Sequence, residues 1–122
     1  MTILAALQSV ASANGARMRE ENVYELTFDD GPTRIATTAE IFAATQLASI
    51  AANRAECSSR IYARYPAGRQ LSALAGIYDA ANVRAMHDWI ASCIAAENTA
   101  ADAIEAATTV QEVEAVTVAW PV

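Results

Sequence analysis

The chain has 122 residues, a formal net charge of −6 at pH 7 and an apolar fraction of 54%, to which alanine contributes heavily. This length suits one domain, or one small domain with an arm, and the acidic balance argues against nucleic acid or an anionic membrane surface as a partner. No apolar run approaches the roughly 18 residues of a transmembrane helix, while the many alanines favour closely packed helices and leave room for oligomerisation to complete the core.

The first helix is predicted between Thr2 and Ala13, where apolar residues recur at helical spacing. Asn14-Gly15 is the expected stop, since glycine readily adopts the left-handed conformation that ends helices. The polar stretch that follows, GARMREEN at 15–22, is interpreted as a linker. Such a linker allows two arrangements, in which the helix docks on a neighbouring molecule or packs on its own domain.

A short β-hairpin is predicted next, near residues 23–37. Val23 to Phe28 alternates and is rich in strand-forming residues. The run Asp29-Asp30-Gly31-Pro32 is a strong turn signal, after which Arg34 to Thr37 is expected to return as a second strand. A two-stranded hairpin is marginal alone, so it has to lie on a helix or on another chain. We therefore assign residues 1–37 to an N-terminal helix and hairpin arm.

Residues 38–122 are predicted to form a helical bundle domain, which makes the whole chain mainly α. Thr37 and Glu40 match a capping box at the start of a long helix that runs to about Tyr65. Apolar residues fall on two stripes of this helix, as expected for an element that is buried on two sides. Pro66 then stops the helix, because proline lacks an N–H and disfavours helical geometry at the preceding residue.

A shorter helix is predicted from about Arg69 to Tyr78. Its large apolar residues recur at helical spacing and are expected to face the core: Leu71, Leu74 and Ile77. Two more helical segments follow it. Asp79 is the expected N-cap of a long helix that breaks near Asn98-Thr99, and Thr108 or Thr109 opens a final short one.

Cys57 and Cys93 both lie on apolar helical stripes and are far apart in the sequence. Two cysteines are too few for a disulfide framework of the secreted kind. We predict that both are buried, reduced thiols that pack as small apolar side chains.

The corner around Pro66 carries the most distinctive local chemistry of this acidic chain. Tyrosine and arginine crowd it, and both are enriched at the energetic centres of protein interfaces. In one interpretation this rigid helix end docks a partner. In the other, the arginines interact favourably with the negative end of the helix dipole and lie over the core, while the Tyr65 ring packs at the end of the bundle. The predicted partner-binding residues are Arg60, Tyr62, Arg64, Tyr65 and Arg69.

Leu26 to Thr33 reads LTFDDGPT, which resembles the first signature of polysaccharide deacetylases of the chitooligosaccharide type. The resemblance implies a hydrolase in which Asp29 is the catalytic base and Asp30 binds the metal. That chemistry also needs a pair of metal-binding histidines, whereas this chain has a single histidine, His87. The barrel of that family is also far longer than this chain. We therefore predict no catalytic, cofactor or metal site.

A longer pattern runs from Asn53 to the end of the sequence and covers more than half of the chain. Its order and spacing resemble the helical C-terminal half of small proteins encoded beside tail-fibre genes in tailed bacteriophages. The residues that carry the resemblance are Cys57, Arg60, Ile61, Tyr65, Pro66, Gln70, Gly76, Ile77, Tyr78, Trp89, Ile90, Ile104, Trp120 and Pro121.

This second resemblance implies a non-enzymatic tail-fibre accessory protein, either a fibre-assembly chaperone or a fibre-bound structural subunit. It implies a tail-fibre or tail-tip protein as the partner, and a location in the virion tail or in the host cytoplasm during assembly. We also expect an oligomeric assembly. One alternative is a head-decoration or tail-adaptor protein, and another, of a different class, is the metal-dependent deacetylase-like hydrolase.

Overall fold

The computed structural model describes residues 1–29 and 31–122. Within them the chain forms five helices: α1 (Ile3–Ala11), α2 (Thr38–Arg64), α3 (Ala67–Leu74), α4 (Ala80–Ala106) and α5 (Val110–Ala115). Three strands form one antiparallel sheet in the order β1-β2-β3: β1 (Gly15–Glu20), β2 (Val23–Thr27) and β3 (Thr33–Ile35). The predicted mainly α class is confirmed, and the predicted hairpin is present as β2 and β3, but the sheet has a third strand.

The third strand, β1, contradicts the interpretation of residues 15–22 as a linker. It pairs with β2 from Gly15 opposite Thr27 to Glu20 opposite Val23, with an irregular register near its end. Its last four residues are exposed, so the strand lacks the alternating apolar pattern by which a strand is recognised in a sequence. Backbone pairing with β2, rather than side-chain burial, holds most of it in place.

α1 ends earlier than the sequence predicts. Ser12, not Gly15, takes the left-handed conformation after the last helical residue, with φ of 53°. The N–H of Ser12 donates to the carbonyl oxygen of Ser9 at 3.4 Å, and the N–H of Ala13 donates to that of Gln8 at 3.0 Å. These bonds satisfy carbonyl groups that the helix end would otherwise leave unpaired, and Gly15 is left to open β1.

One hydrophobic core joins α1, the sheet and the first half of α2. Its buried residues are Ala6, Leu7, Leu26, Ala36 and Ala44. Of the two arrangements open to the first helix, the structure therefore shows packing on its own domain. The division of the chain into an arm at 1–37 and a bundle at 38–122 stays a prediction.

α2 and α4 form an antiparallel helical hairpin. The Gln46 side-chain amide donates to the carbonyl oxygen of Ile104 at 3.0 Å, and further along Arg54 lies 3.4 Å from the Glu97 carboxylate. Each helix has 27 residues and is therefore roughly 40 Å long. The hairpin has two well-separated ends, which we call the tip (residues 60–90) and the base (residues 38–46 and 100–115). The sheet, α1 and α5 pack on α2 toward the base.

The predicted starts of α2, α4 and α5 are confirmed, whereas α3 begins at Ala67, before the predicted Arg69. Thr37 and Glu40 form a complete capping box, in which each side chain accepts a hydrogen bond from the other residue's backbone N–H, at 3.1 and 2.9 Å. Asp79 caps α4 and Thr109 caps α5. α4 then continues through Asn98-Thr99 without the expected break, since the alanines on both sides are strong helix formers.

The prediction that the apolar residues of α3 face the core is wrong. Leu71 is 65% exposed, Leu74 is 81% exposed and Ile77 is 71% exposed, and Ala73 is the buried residue of this helix. α3 is also shorter than expected and lies at the tip, where the two-helix hairpin offers little surface to cover it. None of the helices in the described part of the chain is long and apolar enough to cross a membrane.

Candidate functional site

A cluster of arginine and aromatic side chains occupies the tip. The Tyr65 and Trp89 rings meet edge to face, with centroids 5.8 Å apart and planes at 64°. The Arg64 guanidinium lies 4.6 Å from the Trp89 ring centroid, and that of Arg69 lies 5.3 Å from the Tyr65 centroid and 5.9 Å from that of Tyr78. Cations at these distances are attracted to the ring faces, so the cluster ties the end of α2 to α3 and α4.

The C-terminal segment is anchored in the same cluster. After α5 the chain is extended, and it returns from the base to the tip. There Trp120 lies under the guanidinium of Arg60, 5.0 Å from ring centroid to guanidinium carbon. The Val122 carbonyl oxygen accepts two hydrogen bonds, one from Arg64 Nη1 at 3.1 Å and one from Trp89 Nε1 at 3.2 Å. Arg60 and Arg64, on successive turns of α2, therefore fasten this segment to the hairpin.

The break between α2 and α3 is satisfied by hydrogen bonds within the tip. Pro66 precedes the first residue of α3, as expected for a proline that cannot continue α2. The amide side chain of Gln70 donates to the carbonyl oxygen of Tyr65 at 2.7 Å. This bond occupies an acceptor that the interrupted helix leaves without an intrahelical partner, and it fixes the direction in which α3 leaves α2.

The structure brings four of the five predicted partner-binding residues into the cluster. Arg60, Arg64, Tyr65 and Arg69 all make the contacts described above, whereas Tyr62 lies on α2 with 56% of its surface exposed. Tyr65 is half-buried against Trp89, and the three arginines are exposed although they lie on aromatic rings. Their binding of a partner stays a prediction.

Sequence reasoning did not select Trp89, Trp120 or Tyr78 as site residues. Both tryptophans of the chain are in the cluster. The signal that was available is their rarity, because two large aromatic residues in an alanine-rich chain have few places in which to pack. Helical spacing places Trp89 among the apolar residues of α4 but says nothing about a contact with α2.

The middle of the hairpin contains the two cysteines and a buried carboxylate. Cys57 and Cys93 are buried and unpaired, as predicted. Burial raises the pKa of each thiol above its usual value, and for Cys57 the nearby Cys93 and Glu97 raise it further. Glu97, which sequence reasoning missed, is 8% exposed and pairs with Arg54. For Cys93 the nearby Arg60 and Arg64 act in the opposite direction, but burial outweighs them. A thiol with a raised pKa is a poor nucleophile at neutral pH.

The segment that resembles the deacetylase signature forms a turn between β2 and β3. The Phe28 N–H donates to the Pro32 carbonyl oxygen at 3.1 Å, and Gly31, with φ of 88°, donates to the Phe28 carbonyl oxygen at 2.9 Å. Asp29 is exposed there, while Asp30, also predicted as a turn residue, lies outside the described residues. His87 is exposed on α4 at the tip, so it lies toward the opposite end of the molecule from Asp29.

Among the described residues, no three or more histidine, cysteine, aspartate or glutamate side chains are grouped so as to coordinate a metal ion. Comparisons with protein-family models, with the curated proteins and with the solved structures found no match.

Proposed function

We propose that this chain is a non-enzymatic tail-fibre accessory protein of a tailed bacteriophage. It acts as a fibre-assembly chaperone or as a fibre-bound structural subunit, with a tail-fibre or tail-tip protein as its partner. It works in the virion tail or in the host cytoplasm while the tail is assembled.

The observation that best supports this proposal is the convergence at the tip of residues that carry the sequence resemblance. Arg60 lies over Trp120, Tyr65 meets Trp89, and Gln70 bonds to the Tyr65 carbonyl oxygen. These residues are scattered between positions 60 and 120 of the sequence. Residues of the pattern that contact one another form one physical unit. Such contacts are expected if the resemblance reflects a shared structure, and they are not expected if it arose by chance.

The tip also has the chemistry of a protein-binding surface. A guanidinium that lies on an aromatic ring is held in one orientation. The edge N–H groups that Arg60 does not donate to Glu56, and that Arg64 does not donate to Val122, remain available to carboxylate or carbonyl oxygens. Ordering Arg60, Arg64 and Arg69 in advance lowers the entropy lost when a partner binds. The exposed ring of Tyr62 adds rigid contact area beside them.

The location of the chain in an infection tests the proposal. A tagged copy is expressed during infection, and its partners are identified both from the cell lysate and from purified virions. Recovery of the fibre or tail-tip protein in both samples identifies a structural subunit, and recovery from the lysate alone identifies a chaperone. Recovery with capsid or tail-tube proteins and without fibre contradicts the proposal and favours the decoration or adaptor alternative.

The hydrolase alternative is tested separately by metal content. Asp29→Asn with Asp30→Asn leaves bound metal and polysaccharide hydrolysis at background in a folded protein if these residues only form a turn. Asp102→Asn, another exposed aspartate, is the matched control. A stoichiometric metal that is lost in the double variant and kept in the control would establish the hydrolase instead.

A further inference from the structure

The two ends of the hairpin carry opposite charge. The tip contains four arginines and two aspartates, while the base contains five carboxylates, of which, in the described part of the chain, only Glu40 is paired with an arginine, Arg34. Four of the five carboxylates lie on α4 and α5 and are exposed: Asp102, Glu105, Glu112 and Glu114. The ends are roughly 40 Å apart, which is several times the distance over which salt screens charges at physiological ionic strength. Each end therefore has its own local electrostatic potential.

The two ends also differ in the shape of their apolar surfaces. The tip projects the exposed side chains of Leu71, Leu74 and Ile77. The base has adjoining recesses of about 310 and 230 Å³, between the start of α2 and the start of α5. Phe42, Ile41 and Val110 contribute apolar surface to them. An apolar projection at the positive end is thus matched by an apolar recess at the negative end.

Local helix capping accounts for Glu40 and Glu112, which accept backbone N–H bonds at the starts of α2 and α5, but it does not account for Glu105. Glu105 is the second-last residue of α4, and the last turn of that helix has no basic residue. A carboxylate near a helix C-terminus faces the negative end of the helix dipole, which is unfavourable. A cationic surface brought against this end removes that disadvantage.

The exposed area is larger than expected for a monomer of this size. The chain exposes 7592 Å², whereas a compact monomer of 12.9 kDa exposes roughly 6,300 Å² by the general scaling of surface with mass. The excess of about 1,300 Å² is on the order of what a protomer buries in one or two standard interfaces, each of about 800 Å² per partner.

We propose that copies of this chain associate head to tail, with the tip of one copy docked in the base of the next. Leu71 and Leu74 enter the recess beside Phe42 and Val110, and the tip arginines face the carboxylates at the base. A symmetric contact between two tips or two bases would instead bring like charges together. Because the two patches differ, each copy can bind two neighbours, and the assembly is a ring if it closes and a filament if it does not.

The mass of the purified chain in solution tests this proposal directly. Light scattering after size exclusion is expected to give a mass above 12.9 kDa that rises with protein concentration and falls as salt is added. Two variants each remove one patch: Leu71→Ser with Leu74→Ser at the tip, and Glu105→Arg with Glu114→Arg at the base. All four residues are exposed, so both variants are expected to fold and to be monomeric.

Mixing the two variants distinguishes the proposed geometry from a symmetric dimer. The tip variant keeps an intact base and the base variant keeps an intact tip, so an equimolar mixture is expected to form one-to-one dimers and nothing larger. Glu20→Arg with Asp29→Arg makes the same charge change at two exposed carboxylates outside both patches and is the matched control, which is expected to associate like the unmodified chain. The base variant is also expected to unfold at a higher temperature, since Glu105→Arg suits the end of α4.

Three results would overturn the proposal: an unmodified chain that stays monomeric at millimolar concentration, a base variant that associates as strongly as the unmodified chain, or a mixture that remains monomeric. Fibre binding is measured separately from self-association. A folded tip variant that is monomeric and still recovers the fibre leaves the proposed function standing, whereas an assembled chain that recovers no fibre contradicts the function alone.

Discussion

The guanidinium of Arg64 lies over the indole ring of Trp89, 4.6 Å from its centroid, and both side chains donate a hydrogen bond to the Val122 carbonyl oxygen. One residue from α2 and one from α4 thereby close the hairpin at the tip and anchor the C-terminal segment. The ordering of the tip depends on these contacts, because α3 buries little surface of its own.

Trp89→Phe is expected to destabilise the protein by about 1 kcal/mol, the net value of one hydrogen bond. The change keeps an aromatic ring for Arg64 and Tyr65 but removes the N–H that reaches Val122. Trp120→Phe is the matched control, since Trp120 contributes its ring to Arg60, and its effect is expected to be within about 0.5 kcal/mol. Urea unfolding measures both, and equal effects would show that the indole N–H is unimportant.

The two glycines near α3 are expected to respond to alanine with opposite signs. Gly76 has φ of 78°, where a side chain is strained, so Gly76→Ala is expected to cost about 1 kcal/mol. Gly68 lies within α3 with open space around it, so Gly68→Ala is expected to stabilise the protein by about 0.5–1 kcal/mol. Thermal unfolding checks the pair, and a stabilising Gly76→Ala would contradict the turn after α3.

Stability in acid is expected to depend on Glu40. Arg34 binds both oxygens of this carboxylate, and together with the Thr37 backbone N–H it lowers the pKa of Glu40 from 4.5 to about 2. The ionised carboxylate therefore stabilises the folded chain fully above pH 4.5. This contribution is lost as the pH falls through about 2.

The measurement is denaturant unfolding of the unmodified chain and of Glu40→Gln across that pH window. The stability difference between them is expected to shrink as the pH falls. Glu56→Gln is the control, because Glu56 pairs with Arg60 on an exposed helix face and caps nothing. A Glu40→Gln difference that does not change with pH would contradict the assigned ion pair.

Both thiols are expected to react slowly while the protein is folded. Burial raises the pKa of Cys57 and of Cys93, so little thiolate is present at neutral pH. A colourimetric thiol titration is expected to find two reactive thiols promptly after unfolding in a non-reducing preparation, and far slower reaction before it. Finding no free thiol would contradict the prediction that both are reduced.

Local signals predicted the helix starts because a cap is made by residues within four positions of one another. Thr37 with Glu40, Asp79 and Thr109 all occupy the positions that the sequence assigned to them. The strand β1 was missed because its side chains are largely exposed, so its place depends on pairing with β2, which helical or alternating periodicity does not report.

The faces of α3 and the composition of the tip cluster depend on long-range contacts. Helical spacing identified Leu71 and Leu74 as one stripe, but spacing does not say whether another element covers it. The stacking of Trp120 on Arg60 joins residues 60 positions apart, and neither local propensity nor spacing carries that information. Tyrosine and arginine around Pro66 did indicate where the cluster lies, because their chemistry is unusual for this chain.

Co-purification of a charge-reversed tip with the tail-fibre protein measures whether the tip arginines bind the proposed partner. Arg64→Glu with Arg69→Glu is expressed together with the tail-fibre protein proposed as the partner, and Arg17→Glu with Arg19→Glu, on β1, is the matched control. The tip variant, shown by circular dichroism to be folded, is expected to lose the fibre at a salt concentration that the unmodified chain and the control withstand. A folded tip variant that co-purifies with the fibre at unchanged salt resistance would contradict this expectation.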